Sequence, residues 1–220
     1  MYQRSCFHIF RMLVLLGLIA LECTSALVAQ EMPEEPVFES DWVEMIPPQP
    51  EAYRHRGSGL LLPKYADTFQ LVKSSIDSDL GGSSFTYRGN SGMAIVFFYR
   101  FSEIGLDVDD PNAAMRYYDM LNGRITQGHA EADVLESFIT CIDLKGISYS
   151  GKGISYFIPD FRGSGQPAYS YLFMYQVNDF LIYVRASSPT PGFEEDFIAL
   201  LKQIGAKIIS RKQAQAVAGK

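Results

Sequence analysis

Runs in which apolar and polar positions alternate with a period of two recur through the middle of the chain, and each predicts a strand. They are "TFQLVKS" from Thr68, "GGSSFTYRG" from Gly81 and "GMAIVFFYRF" from Gly92. In the third, Ile95, Phe97, Tyr99 and Phe101 share one side, and Val96, Phe98 and Arg100 the other. Apolar residues on both sides predict a strand covered, at least in part, on both faces. Gly81-Gly82 and Asn90-Ser91-Gly92 separate these runs as turns.

The period then changes. Asp110-Pro111-Asn112 is a helix start, with Pro in the first turn. Met115, Tyr118, Leu121, Asn122 and Ile125 follow at helical spacing. Val134, Leu135, Phe138, Cys141 and Ile142 form a second stripe that fits a helix, although Phe138 to Ile142 also fits an extended run. "KGISYSGKGISYFIPDF" predicts one or two short strands around Gly151 to Gly153.

The strongest signal is "YSYLFMYQVNDFLIYVRASSP", Tyr169 to Pro189. Tyr169, Tyr171, Phe173 and Tyr175 alternate with Ser170, Leu172, Met174 and Gln176. Asn178-Asp179 is a two-residue turn, and Phe180, Ile182, Val184 and Ala186 alternate on the way back. This is a β-hairpin. Phe193, Phe197, Leu200, Leu201 and Ile204 then mark the buried face of an amphipathic helix. A ring-rich hairpin followed by such a helix reads as a sheet packed beneath it. A groove lined by the tyrosines is the other arrangement that fits.

The ends of the chain differ in composition. Arg4 and Arg11 precede an apolar run from Met12 to Leu21, too short to span a bilayer at roughly 20 residues. Small residues follow, and cleavage after Ala26 or Ala29 would match a secretory signal peptide. An uncleaved N-terminal membrane anchor is the alternative. Residues 30–58 are rich in Pro and Glu and read as an acidic, irregular arm holding the only tryptophan, Trp42. Residues 59–210 read as a single domain, and 211–220 as a flexible basic tail.

The full chain carries a net charge of −6, and residues 1–29 carry Arg4, Arg11 and Glu22, a net +1, so removing them leaves −6 − 1 = −7. An acidic protein repels phosphate backbones, which disfavours nucleic acid and anionic membrane surfaces as partners. Cleavage also leaves Cys141 as the one cysteine, so no internal disulfide is expected.

Catalytic chemistry is not marked. Asp77 and Asp79 begin a calcium-like loop that has Arg88 where an EF-hand has Glu. Asp107, Asp109 and Asp110 begin another that reaches Tyr118 at that place. His55, His129 and Cys141 lack zinc-ligand spacing. Cys141 lies on an apolar stripe, as a buried inert thiol does. Gly151-Lys152-Gly153 and Gly163-Ser164-Gly165 lack the third glycine of a dinucleotide loop. No metal, cofactor or catalytic residue is therefore assigned. The candidate binding residues are Trp42, in an apolar cluster within the arm, the hairpin tyrosines Tyr169 and Tyr171, and the strand-end arginines Arg100 and Arg185, which suit an anion.

"SSFTYRGNSGMAIVFFYRF", a helix, "YLFMYQVNDFLIYVRASSP" and a final helix resemble the PsbP-like α/β/α sandwich group, and uncharacterised exported bacterial proteins of that pattern, over Thr68 to Ile209. That group includes an extrinsic subunit of the photosynthetic oxygen-evolving complex and a nuclear-import factor. The resemblance implies an α+β fold, an antiparallel sheet with helices on its faces, and an accessory or binding role. None of the group's functional residues carries over. The expected function is an exported, non-enzymatic protein, periplasmic or secreted, that contacts a protein partner. The rivals are a small-molecule binder using the tyrosine-rich hairpin and an unrecognised hydrolase.

Cleavage has a direct readout. The intact mass of the protein from its native compartment is expected to lack the first 26 to 29 residues. Full-length protein in the membrane fraction would show an anchor instead.

Overall fold

A computed structural model describes residues 41–45, 51–76 and 82–213. The signal or anchor segment lies outside them, as do the arm at 30–40 and 46–50, the loop holding Asp77 and Asp79, and the tail at 214–220. Strands β1 (Trp42–Met45), β2 (Ala52–His55) and β3 (Leu61–Pro63) make a small antiparallel sheet. The remaining strands are β4 (Tyr65–Ala66), β5 (Phe69–Ile76), β6 (Ser83–Arg88), β7 (Met93–Arg100), β8 (Asp133–Leu144), β9 (Ile147–Ile158), β10 (Ala168–Val177), β11 (Phe180–Ser188) and β12 (Ala206–Gln213). They form one antiparallel sheet in the order β12-β8-β9-β10-β11-β7-β6-β5-β4. The helices are α1 (Ala113–Gly128) and α2 (Phe193–Gln203).

This corrects the α/β/α sandwich expected from the sequence. Strands hold 53% of the described residues and helices 18%, so the large sheet, not a pair of helical layers, dominates the architecture. Helix α1 covers the middle of one face, where Tyr118 and Ile125 join Ile154, Tyr156, Leu172 and Met174. The opposite face is shared. Helix α2 sets Phe193 and Phe197 against Tyr171 and Phe173, and the small sheet sets Trp42, Tyr53 and Leu62 against Phe85 and Phe98.

The second stripe is extended, as the alternative for Phe138 to Ile142 allowed, and over a longer span. Asp133–Leu144 is a strand, with a register shift between Val134 and Glu136. Phe138, Ile142 and Leu144 point into the core, and so does Thr140. Its hydroxyl donates to the Lys207 carbonyl at 2.6 Å and so accepts from the Tyr175 hydroxyl at 3.1 Å. A polar residue satisfied in this way hides the period of two from hydropathy.

Strand β9 is one unbroken strand for a related reason. Gly153 pairs with Phe173, and Gly151 with Tyr175. A Cβ at Gly153 would lie 2.6 Å from the Phe173 ring, and one at Gly151 would lie 2.6 Å from the Met174 carbonyl oxygen. The glycines are the floor on which the hairpin rings lie. The hairpin itself closes with Val177 opposite Phe180, and Asn178 takes φ 54° in the tight turn.

The arm also differs from expectation. Two of the three strands of the small sheet fall within residues 30–58, and Trp42 is buried. The core therefore begins before Gly59, and Pro- and Glu-rich composition around Trp42 masked a strand. Likewise Arg211, read as the start of a loose tail, is part of β12.

Truncating Phe173 or Trp42 to Ala should each lower the urea midpoint sharply, since emptying a core ring site costs roughly 3–5 kcal/mol. Gly153→Ala should destabilise by about 1–3 kcal/mol through overpacking against Phe173. Ile139→Ala, at a side chain that is 59% exposed, should stay near the wild-type midpoint. A Trp42→Ala midpoint like that of Ile139→Ala would remove the small sheet from the core.

Candidate functional site

The sequence candidates fall in three places. Tyr171 is buried beneath α2, 5.3 Å from the Phe197 ring and 6.1 Å from Phe193. Burial holds its hydroxyl pKa above the ordinary range. Tyr169, partly buried, lies on the same face 5.5 Å from Phe157. These rings are packing, and they do not line an open groove. Arg185 sits on the opposite face in β11, in the field of Tyr183 and Tyr156. There Tyr183 stacks on Phe97 at 4.2 Å, with Tyr99 6.0 Å away. Burial, with Tyr99 and Tyr117 adding to it, raises the Tyr183 hydroxyl pKa well above its usual value.

Trp42 and Arg100 do come together, at the junction of the small and large sheets. The residue that joins them, His55, was passed over in the sequence except as a poor zinc ligand. Register pairs Trp42 with His55, and their ring centroids are 5.0 Å apart. Trp42 also meets Phe85 at 4.7 Å and Phe98 at 5.5 Å. The imidazole lies 4.3 Å from Phe98 and 5.1 Å from Phe180. Arg100 stands over the other part of Phe180 at 5.2 Å and pairs with Asp41 at 3.0 Å. Arg100 and Asp41 are both partly exposed, so this ion pair is worth at most about 1 kcal/mol.

His55 is 1% exposed. Its Nδ1 accepts the Ser58 backbone N–H at 3.1 Å and faces the Ser58 hydroxyl at 3.1 Å. The Leu60 N–H in turn donates to that hydroxyl oxygen. An Nδ1 that accepts carries no proton, which fixes the neutral ring with its hydrogen on Nε2. Burial lowers the His55 pKa to about 4; Asp41 and Asp179 oppose this, and Arg100 and Lys145 reinforce it. Tyr53 and His55 alternate with exposed Arg54, a short period of two that the flanking charges obscure.

Asp107 accepts the Asp109 N–H at 3.0 Å, and Asp110 accepts the Asn112 N–H at 2.9 Å and pairs with Arg116. That acidic run shapes the entry to α1. Cys141 is buried in β8 between Ser150 and Lys207 in register. His129 stacks on Phe161 beyond the end of α1. Among the described residues no three or more His, Cys, Asp or Glu side chains are grouped so as to hold a metal ion. Among them too, no helix is long and apolar enough to cross a membrane.

One part of the surface is unusually apolar. Ile139 in β8 is 59% exposed and Ile209 in β12 is 62% exposed. They are neighbours, because Ser210 pairs with Ile139 and the β12 register shifts at Ile209. Alongside, a hollow of about 370 Å³ between α2 and β12 is lined by Ile198, Leu201, Ile208 and Ile209, with Lys202, Lys207 and Arg211 around it. Lys207 pairs with Asp143 at 2.7 Å, and Arg211 with Glu136 at 3.5 Å and with Glu194.

Comparison of the sequence with protein-family models and with curated proteins finds no match.

Proposed function

We propose that the protein is an exported, non-enzymatic accessory protein that binds a protein partner in the cell envelope through the apolar end of its large sheet. The observation that supports this reading is the exposure of Ile139 and Ile209, 59% and 62%, on the adjoining strands β8 and β12, where Ser210, next to Ile209, pairs with Ile139. Aliphatic side chains held in water on a rigid sheet lose free energy only when something covers them, and such patches with polar rims mark interaction surfaces. The hollow between α2 and β12, which Ile209 also lines, gives a partner side chain a place to insert, and the lysines and arginine around it form the polar rim. The signal-like N-terminus supports export, and the PsbP-like resemblance of the strand and hairpin segments points to an accessory role.

A photocrosslinking residue at position 209, in cells, is expected to give one discrete protein adduct. Ile139→Glu should remove that adduct while leaving the urea midpoint within about 0.5 kcal/mol, as surface changes do. If the same adducts form from position 65, an exposed tyrosine in β4 at the opposite edge of the large sheet, or survive Ile139→Glu, the apolar end is not the contact surface.

A further inference from the structure

We infer that His55 couples the closure of the small sheet onto the large one to pH, so that proton uptake by its imidazole releases the small sheet and uncovers the aromatic surface beneath. The geometry has three parts. First, β1–β3 pair only with one another, whereas β4 onward pair in the large sheet. The small sheet can therefore lift without breaking any pairing of the large one, and its three strands of three or four residues do not hold their backbone hydrogen bonds without that apolar support.

Second, the two layers are joined by side-chain packing and a few polar ties. Tyr87 donates to the Pro63 carbonyl at 3.0 Å. Lys145, in the β8–β9 turn, donates to the Arg56 and Gly57 carbonyls, each at 2.8 Å. Arg100 holds Asp41. The Leu71 N–H of β5 donates to the carbonyl of Lys64, next to β3, at 2.9 Å, and Trp42, Tyr53, Leu60 and Leu62 pack against Phe85, Phe98 and their neighbours.

Third, the imidazole at this seam is buried, surrounded by three rings, and committed to accepting a backbone N–H. A proton on Nδ1 turns an acceptor into a donor facing the Ser58 N–H, and it places a charge where water is excluded. The charged groups around the ring come from every neighbouring element. Asp41 before β1 and Asp179 in the β10–β11 turn favour the proton, and Arg100 ending β7 and Lys145 oppose it. They are of both signs, so burial decides the direction.

The sign follows from proton linkage. In the closed state His55 titrates at about 4, and in the open state, in water, at its ordinary 6.5. Below 6.5 the open state binds the proton and the closed state does not. Each unit of pH lost between 6.5 and 4 thus favours opening about tenfold, roughly 300-fold in all. Closure is fully supported above 6.5 and weakened through that window. Lifting the layer exposes Phe85, Phe98 and Phe180, a second apolar surface whose population rises as the pH falls.

The test is hydrogen exchange of the intact protein from pH 7 to pH 4, corrected for intrinsic rates. Amides of residues 52–62 should lose protection by up to about 300-fold relative to pH 7, and should be less protected at every pH than amides of β10 and β11. His55→Gln keeps an oxygen to accept the Ser58 N–H and does not titrate, so its small sheet should show no such loss. Asp41→Asn, which removes the Arg100 partner but not the imidazole, should keep the pH dependence. In the wild-type protein, the His55 ring resonances should titrate well below 6.5. The inference is overturned if His55→Gln loses protection as the wild type does, if residues 52–62 and β10–β11 open together with equal protection, or if the His55 ring titrates near 6.5.

Discussion

Close packing of the Phe173 and Tyr175 rings on Gly153 and Gly151 is the constraint on which the rest of the fold depends. It fixes the register of β9 against β10, because sliding by one residue would set a Cβ where each ring now lies. With that register set, Thr140 of β8 accepts from the Tyr175 hydroxyl and donates a hydrogen bond to the Lys207 carbonyl of β12. One ring thus ties together four strands. On the outer side of the same rings, Phe197 of α2 meets Phe173 at 5.6 Å, so the position of the last helix also follows from the hairpin. Large aromatic side chains bury the most area per residue, and a central strand pair is where that burial stabilises most.

The two faces of the hairpin then divide the molecule. One carries α2 and the small sheet side by side, with the phenylalanines of β6, β7 and β11 beneath. The other carries α1, tied by a Tyr156–Asn122 hydrogen bond to β9. At the end formed by β8 and β12, α2 packs along β12, and Ile139 and Ile209 are exposed. Partner binding at that end and acid release of the small sheet near β7 would be separate events on a shared scaffold.

The legible parts of the sequence were those where hydropathy and geometry agree. The hairpin from Tyr169 to Ser188, the α2 stripe and the β5–β7 meander all alternate or repeat cleanly, and their turns carry Asn, Asp or Gly. What was missed shares one physical cause: buried positions that do not look apolar. Thr140 is buried because its hydroxyl is satisfied. Gly151 and Gly153 are inside because rings cover them. His55 is inside because its Nδ1 accepts a backbone proton. Each broke a period of two, so β8 fitted a helix as well as an extended run, β9 read as one or two short strands and the small sheet as an arm. Of the candidate site, Trp42 and Arg100 were found without the residue that links them. Tyr169 and Tyr171 were chosen for aromatic content, which here signals core.

The central claim is that the hairpin rings are interior. Nitration of the native protein followed by peptide mapping separates them from a surface row directly. Tyr65, which is 61% exposed, should be modified rapidly, while Tyr171 and Tyr175, at 5% and 0% exposure, should remain unmodified until the protein is denatured. Modification of Tyr171 and Tyr175 at the rate of Tyr65 in the native state would contradict the account.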